Sequence, residues 1–523
     1  MRRRRISSTR RPDPQGDIVA FLSDPLSYGL SHDTDIAHRE THIAHVFLVG
    51  PDAYKLKKAV KLPFLDFSTL PLRHAACEAE LRLNRRTAPD LYVDLLAVRR
   101  GASGDLNLDG DGEVVDWLVH MRRFADDALL DDVARAGEFG LPLARRLADA
   151  IAAFHADAEV LPEVDWAAEL TRTAGMNAKV IDAFVPSVFP ASDVDALNTR
   201  LKSMLHVRRA FFSERGRRGA VRHCHGDLHL RNIFLDDGEP RLFDAIEFDD
   251  RLARIDVLYD MAFLLMDLWH RDLKQAANCV LSRYLLHTRD FAGLAGLPVY
   301  LSLRAGIRAH VSATTARSAP DGYKFEEEAR QYLVIARDFL TPRSPVLIGV
   351  GGVSGTGKST IAAALAPDIG ATPGAVCLRS DEARKALMGV EPETSLPSDA
   401  YAPEVSARVY DALRQHAATS LAAGAAVIVD GVHGDTESRA KLEAVALAAG
   451  VPFVGIWLDA PADLLAHRIE ERVGDASDAD VEVMRAQMRS DLGPINWHRI
   501  AAGGSVVDTV AAARAILPPA ATD

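Results

Sequence analysis

The sequence predicts an α+β two-lobed domain followed by an α/β domain whose sheet is mostly parallel. Three observations predict it. Alternating apolar runs mark residues 31–124, helical patterning follows from about residue 128, and four apolar strands separated by helical segments come after residue 345. Alternation with period two marks strands with one buried face, whereas short continuous apolar runs mark strands buried on both faces, as in helix-covered parallel sheets.

The start, "MRRRRISSTRRPDPQGD", has the positive charge of a signal peptide but no apolar segment behind it, so a basic, disordered tail is expected over residues 1–30. The runs "IAHVFLVG", "AYKLKKAV", "DLYVDLLAV" and "VVDWLVHMRRF" read as the strands of a small lobe over residues 31–124, and the helical lobe extends over 125–340. Within it "VLYDMAFLLMDLW" is too short and too acidic for a membrane span and reads as a buried helix, with Asp260 in a structural role. "TPRSP" at 341–345 is the linker, two prolines between a helical pattern and a strand. The second domain, 346–523, then sets "VLIGVGG", "AVCLRSD", "AAVIVDG" and "PFVGIWLD" in a βα rhythm.

The 523 residues carry 61 Lys and Arg against 73 Asp and Glu, a formal charge of -12 that argues against general nucleic-acid binding, which rests on a basic surface. Cys77, Cys224, Cys279 and Cys377 have no C-x-x-C spacing, so neither a disulfide framework nor a zinc site is indicated, and a cytoplasmic location is expected.

Chemistry concentrates in two places. "GVSGTGKST", comprising Gly352, Val353, Ser354, Gly355, Thr356, Gly357, Lys358, Ser359 and Thr360, follows a strand and precedes a helical run. Its glycines let backbone N–H groups turn toward phosphate oxygens, the helix offers its positive end, Lys358 reaches the terminal phosphates, and the Ser359 hydroxyl ligates Mg2+. ATP is the expected cofactor. Asp381, at the end of the next strand, is a candidate base for an acceptor hydroxyl or else a helix cap, with Arg384 a candidate clamp. Asp430, ending "VIVD", is placed to hold Mg2+ through water, and Arg468 and Arg472, at i and i+4, form either a phosphate lid or a solvated face.

Upstream, "HGDLHLRN" sets Asn232 five positions after Asp227, and Asp244 follows another 12 residues on. A loop carrying a proton-accepting aspartate and a metal-binding asparagine, then a hairpin returning a second aspartate, assembles a magnesium–phosphate clamp beside a base. Asp227 is the candidate base, Asn232 and Asp244 the candidate metal ligands, and "DDG" at 236–238 the hairpin turn.

Residues 346–500 resemble the P-loop small-molecule and polynucleotide kinases, including gluconate-kinase-like, zeta-toxin-like and 5′-polynucleotide-kinase-like proteins. The likeness lies in the glycine loop, "SD" with Arg384, "VIVDG", and the arginine pair followed by "DASDAD" and Gln487. It implies acceptor handling by Asp381 and Arg384 and donor handling by the lid arginines. The H-G-D-x-x-x-x-N loop resembles the aminoglycoside phosphotransferase and choline-kinase branch of the protein-kinase-like fold. That resemblance implies a strand lysine, Lys55 ahead of Lys57, a helix glutamate, Glu78 ahead of Glu80, and adenine binding by backbone near His120, Met121 and Arg122. The run "THIAHVFLVGPD" ahead of Lys55 has only Gly50 and so no glycine-rich phosphate loop, and Ala245-Ile246 follow the metal aspartate where protein kinases have Phe-Gly, which argues against a protein substrate. Together the halves are similar to a bacterial family described as bifunctional aminoglycoside phosphotransferase/ATP-binding proteins.

The implied function is transfer of the γ-phosphoryl group of ATP to a hydroxyl of a small molecule at two nucleotide sites. Two alternatives stand beside it: ATP-sensing domains without transfer, and a nucleic-acid 5′-hydroxyl kinase in the second domain. The oligomeric state is open.

Overall fold

Six antiparallel strands organise the N-terminal region of the chain, seen here in a computed structural model that describes residues 15–62, 65–471 and 476–518. In chain order they are β1 (Ile36–Glu40), β2 (Ala44–Val49), β3 (Asp52–Lys57), β4 (Tyr92–Arg100), β5 (Leu106–Leu108) and β6 (Glu113–Arg122). Their spatial order is β1-β2-β3-β6-β4-β5, which makes β3 and β6 interior strands. Successive side chains leave opposite faces of a strand, and both faces are covered. Ala53, Tyr92, Val119 and Met121 pack into one apolar layer with Cys77 of helix α2 (Leu70–Asn84). Phe47, Leu56, Val98 and Leu118 pack into another with Ile18 and Leu22 of α1 (Gly16–Leu22).

The second layer corrects the expectation of a disordered tail through residue 30. Only residues 1–14 lie outside the described residues; from Gln15 on, the segment is structured. Its Ile18 and Leu22 cover sheet apolar surface, and the Gln15 amide donates to Lys57 O at 2.9 Å and to Asp116 Oδ2 at 2.7 Å. The arginine-rich composition at the very start masked this short amphipathic helix.

The chain divides into two units, Met1–Glu138 with His225–Arg254, and Phe139–Cys224 with Ile255–Asp523. The first unit adds the antiparallel hairpin β7 (Ile233–Asp236) and β8 (Glu239–Leu242), turned by Asp237 and Gly238 with φ of 49° and 84°. Two central residues with positive φ are the signature of a tight hairpin turn.

The second unit holds helices α3 (Leu141–Asp157), α4 (Val257–His270), α5 (Lys274–Thr288), α6 (Leu297–Ala316) and α7 (Gly322–Asp338). Asp260 on α4 is buried and meets His155 Nε2 at 3.2 Å, while His155 Nδ1 meets the Tyr284 hydroxyl at 2.9 Å, so a carboxylate in an apolar helix is satisfied. The same unit contains five parallel strands, β9 (Leu347–Gly351), β10 (Val376–Arg379), β11 (Val427–Asp430), β12 (Phe453–Asp459) and β13 (His498–Ala501), ordered β10-β11-β9-β12-β13. All five residues of β9 are buried, as a central parallel strand requires. Edge strand β10 is covered by α5. Ser282 Oγ accepts from Cys377 N at 3.1 Å, and Asn278 Nδ2 donates to Ala375 O at 2.8 Å and Pro373 O at 3.2 Å, satisfying backbone groups an open edge would expose. Among the described residues no helix is long and apolar enough to cross a membrane.

Arg73 on α2 donates twice to Asp116 on β6, at 2.8 and 3.0 Å, with both side chains almost wholly buried. Asp116→Ala leaves that guanidinium buried without its counter-charge, and urea unfolding of the variant is expected to show a loss of about 3–5 kcal/mol.

Candidate active sites

In the first unit the sheet, α2 and the hairpin converge on a set of charges. Lys55 and Lys57 stand two residues apart on β3 and therefore share a face. Lys55 Nζ donates to Glu80 Oε1 at 2.7 Å and to Asp244 Oδ1 at 2.6 Å. Lys57 Nζ donates to Glu80 Oε2 at 2.6 Å and to Glu247. Glu80 is fully buried, and the preference for Glu78 is corrected: Glu78 lies on the exposed side of α2, facing only His74 at 3.7 Å. Two residues along a helix turn the side chain by more than half a revolution, so only one of the pair can face the sheet.

Burial alone would raise the Glu80 carboxyl; the two lysines outweigh it and hold the group down at about 2. Burial, reinforced by the like charge of Glu80, pushes Glu247 up against the attraction of Lys57. Lys55, whose own burial disfavours its charge, is kept protonated by Asp244 and Glu80.

The catalytic-loop candidates lie in the same unit. Asn232 Nδ2 donates to Asp227 O and to Asp227 Oδ2, both at 2.9 Å, and His229 Nε2 approaches Asp227 Oδ2 at 3.3 Å. His225 lies at 2.9 Å from Phe243 O through Nε2 and accepts from Asp227 N through Nδ1 at 3.3 Å, so one neutral tautomer serves both contacts. Asp244 adopts φ of 60°, a left-handed conformation that aspartate tolerates better than most residues. The Tyr92 hydroxyl accepts from its N–H at 3.2 Å, and Asn84 Oδ1 accepts from the next N–H at 2.8 Å. The partly exposed Asp244 carboxylate and the Asn232 side chain are oxygen donors of the kind Mg2+ takes.

The expectation of adenine binding by backbone at His120 to Arg122 is corrected. These residues lie inside β6 and pair with Tyr54, Ala53 and Asp52 on one side, while Arg122 N donates to Leu91 O on the other. A strand with neighbours on both sides has no free backbone to offer. The His120 ring is itself engaged by Asp52 and Asp94, each at 3.0 Å. Arg123 N also donates to Pro51 O, so backbone outside the sheet starts at Phe124.

In the second unit the glycine loop joins β9 to α8 (Lys358–Leu365). Gly352 has φ of 139°, and a Cβ there would stand 2.7 Å from Leu458 O; at Gly355, φ is 86° and a Cβ would stand 2.9 Å from Leu465 O. The loop thus needs glycine for both conformation and space. Ser354 to Thr360 line a cavity of about 1070 Å³. Val353 instead packs its side chain against Leu465, Ile469 and Met484, and its carbonyl accepts from Lys358 Nζ at 3.1 Å. Register places Asp430 level with Val350 and Arg379, and Ser359 Oγ donates to its Oδ2 at 2.5 Å. Burial pushes the Asp430 carboxyl up, opposed by Arg379 and Lys358. A hydroxyl touching a carboxylate beside phosphate-directed amides is a donor set that fits Mg2+.

Asp381, Arg384 and Arg468 line the same cavity. Asp381 lies inside helix α9 (Ser380–Met388), whose N-cap is Arg379, so it does not cap the helix. Arg384 is buried, donates to Ala400 O at 2.8 Å, and lies over the Tyr401 ring at 4.6 Å. Arg468 is in the last turn of α10 (Ala462–Glu470), and Arg472 lies outside the described residues. From α11 (Val481–Arg489) Gln487 Oε1 accepts from Ser354 N at 2.8 Å.

With both geometries in place, likenesses to known proteins can be stated. The AAA domain family matches residues 347–491. The uncharacterized protein Rv2004c of Mycobacterium tuberculosis is 31% identical over 477 residues, covering 89% of this chain and 92% of that protein. This chain belongs to the same family. The uncharacterized protein Mb2027c of Mycobacterium bovis is 31% identical over the same length. Among solved structures, the chain is similar to a gluconokinase from Sinorhizobium meliloti (22% identity, 33% of this chain and 91% of that one, TM-score 0.24). It is also similar to the Plasmodium vivax ethanolamine kinase Pv091845 (9% identity, 60% and 85%, TM-score 0.37). In this chain a curled-sheet, kinase-like lobe is followed by a parallel-sheet P-loop NTPase domain.

Several site residues in this family member escaped sequence reasoning. Glu247, 190 positions from Lys57, and Tyr92 are joined to the site only by folding. Asp478 holds Lys385 Nζ at 2.6 Å, the Tyr401 hydroxyl at 2.5 Å and Leu396 N at 3.1 Å, tying the segment before α11 to the part of the cavity lined by Tyr401. The one signal was "DASDAD" itself, read only as part of a pattern.

The Glu80 carboxyl sits below the ordinary glutamate value of 4.5, so its contribution to stability is in place above that value and is lost as pH falls through about 2. Glu80→Gln is expected to destabilise the protein by on the order of 3 kcal/mol at neutral pH and to flatten this acid limb, whereas Glu78→Gln leaves both unchanged; unfolding curves across the pH range check it.

Proposed function

We propose that this protein is an ATP-dependent phosphotransferase with two nucleotide sites, each able to move the γ-phosphoryl group of ATP to a hydroxyl of a small molecule. One observation supports the reading: each unit holds a lysine close to a carboxylate, and we assign a further carboxylate to each site. In the first unit these are Lys55, Asp244 and Asp227; in the second, Lys358, Asp430 and Asp381.

In the first site Lys55, held by Glu80, directs its charge at the donor phosphates, and Asn232 with Asp244 would hold the metal. Asp227, oriented by Asn232 and His229, accepts the acceptor's hydroxyl proton. In the second, the amides of Gly355, Gly357, Lys358 and Ser359 together with the Lys358 ammonium cradle the phosphates, Arg468 closes over them, and Ser359 with Asp430 would hold the metal. Asp381 takes the acceptor proton while Arg384 fixes the acceptor. In both, the acceptor oxygen bonds to the γ-phosphorus as the bond to the β-phosphate oxygen breaks, and ADP leaves. Bound Mg2+ neutralises charge on the donor phosphates; positioning and fixed charge supply the rest.

The H-G-D-x-x-x-x-N loop and the Ala245-Ile246 sequence after Asp244 support assigning the first site to the aminoglycoside phosphotransferase and choline-kinase branch, with a small acceptor. The charge of -12 favours a small acceptor over nucleic acid at the second. A cytoplasmic setting suits four cysteines that form no disulfide.

Calorimetry with a non-hydrolysable ATP analogue and Mg2+ is expected to count two nucleotides per chain, and one after Lys358→Ala. Asp227→Asn and Asp381→Asn are each expected to lower acceptor-dependent ADP release at their own site by roughly a hundred- to ten-thousand-fold while nucleotide affinity stays within about twofold. Unchanged turnover in both variants overturns the assignment.

A further inference from the structure

The cavity over the glycine loop has a wall that the glycine-loop domain does not supply. Arg145, on α3 in the helical segment, lines it together with Asp381, Arg384 and Tyr401. The wall is built into the unit. Helix α5 lies along edge strand β10 through Asn278 and Ser282, and Arg283 of the same helix donates to Asp149 of α3 at 2.6 and 2.9 Å. Arg283 also reaches Glu393, ahead of the acceptor-side segment, at 3.2 Å. Helix α3 is therefore cross-braced to the domain whose cavity it lines.

Charge in the cavity is unevenly matched. Asp430 is engaged by Ser359 and Arg379, and Asp478 by Lys385, Tyr401 and Leu396 N. Asp480 caps α11, and Glu471 faces His467. Two arginines at the Asp381 side have no carboxylate within ion-pair distance among the described residues. Arg384 is only 6% exposed and spends one N–H on Ala400 O, while its buried Nε finds no acceptor. Arg145, half-buried, has the weakly accepting thiol of Cys279 as a hydrogen-bond neighbour. A guanidinium withdrawn from water without a counter-charge is costly, and a carboxylate or phosphate gripped by its parallel N–H groups offsets that cost.

We propose that Arg145 and Arg384 together bind an anionic group of the acceptor, so that the second site phosphorylates a hydroxyl compound that also carries a carboxylate or a phosphate. The proposal rests on the reading of this cavity as a phosphoryl-transfer site. It makes the helical segment part of that site: Arg145 is a specificity residue contributed from far upstream of the glycine loop.

Two measurements on the full chain test it. In the first, protein saturated with a non-hydrolysable ATP analogue and Mg2+ is titrated with inorganic phosphate and, separately, with acetate. Wild type is expected to bind at least one of them; Arg145→Ala is expected to weaken that binding about tenfold to a hundredfold, Arg145→Lys to restore part of it, and nucleotide affinity and unfolding temperature to stay unchanged. The anion preferred distinguishes a phosphate-bearing from a carboxylate-bearing acceptor. Anion affinity that is absent in wild type, or equal in wild type and Arg145→Ala, overturns the inference. In the second, the Asp227→Asn chain, which leaves only the glycine-loop site active, is given glycerol, glycerate and glycerol phosphate, and glucose, gluconate and glucose 6-phosphate. ADP release is expected only with anionic members, with Arg145→Ala raising KM and leaving kcat within about threefold. Turnover of the neutral members at equal kcat/KM sinks the inference and leaves the phosphotransferase reading standing. Anion binding lost in Arg145→Ala with no nucleotide bound through Lys358 supports the anion site and sinks the phosphotransferase reading.

Discussion

Glu80 is the pivot of the first unit. One buried carboxylate, shared between Lys55 and Lys57, ties helix α2 to strand β3, and through the same lysines it is linked to Asp244 and Glu247 behind the hairpin. Desolvating five charged groups in one place is expensive, and well-packed apolar side chains would serve stability at least as well. What charges provide, and apolar groups do not, is a fixed lysine whose ammonium cannot be displaced without leaving a carboxylate unpaired. A lysine with a long, flexible stem is held in one place only by such anchoring, because side-chain freedom otherwise spreads its charge over many positions.

The second unit meets the same need by a different route. Backbone does most of the work: glycines whose conformation or close neighbours exclude a side chain turn N–H groups inward, and the sheet register brings Asp430 to Ser359. The parallel sheet collects Arg379, Asp430 and the glycine loop at the carboxyl ends of neighbouring strands, where open α/β sheets place ligands. One unit relies on a buried charge network and the other on a glycine loop and sheet register, yet both bring a lysine close to a carboxylate.

Edge strand β10 connects architecture to site. Left open, its amides would invite pairing with another chain; covered by α5, they are satisfied by Ser282 and Asn278. That cover draws α3 after it through the Arg283–Asp149 pair, and so carries Arg145 to the cavity wall. A solution to a folding problem thereby fixes the composition of a binding surface.

The amino-acid sequence by itself determined the elements whose signals are local: the alternating strands, the continuous apolar strands, the turn at Asp237-Gly238 and the glycine loop, together with Asp227, Asn232 and Lys358 inside short motifs. Only the tertiary structure decided which of Glu78 and Glu80 faces the sheet, that backbone at His120 to Arg122 is consumed by pairing on both sides, and that residues 15–22 cover an apolar face. It also decided that Glu247, Tyr92, Asp478 and Arg145 stand beside chemistry encoded far away in the chain. The physical reason is range. Propensity, periodicity and loop spacing act over a few residues, whereas burial and ion pairing depend on which surfaces meet after the chain has closed loops of up to two hundred residues.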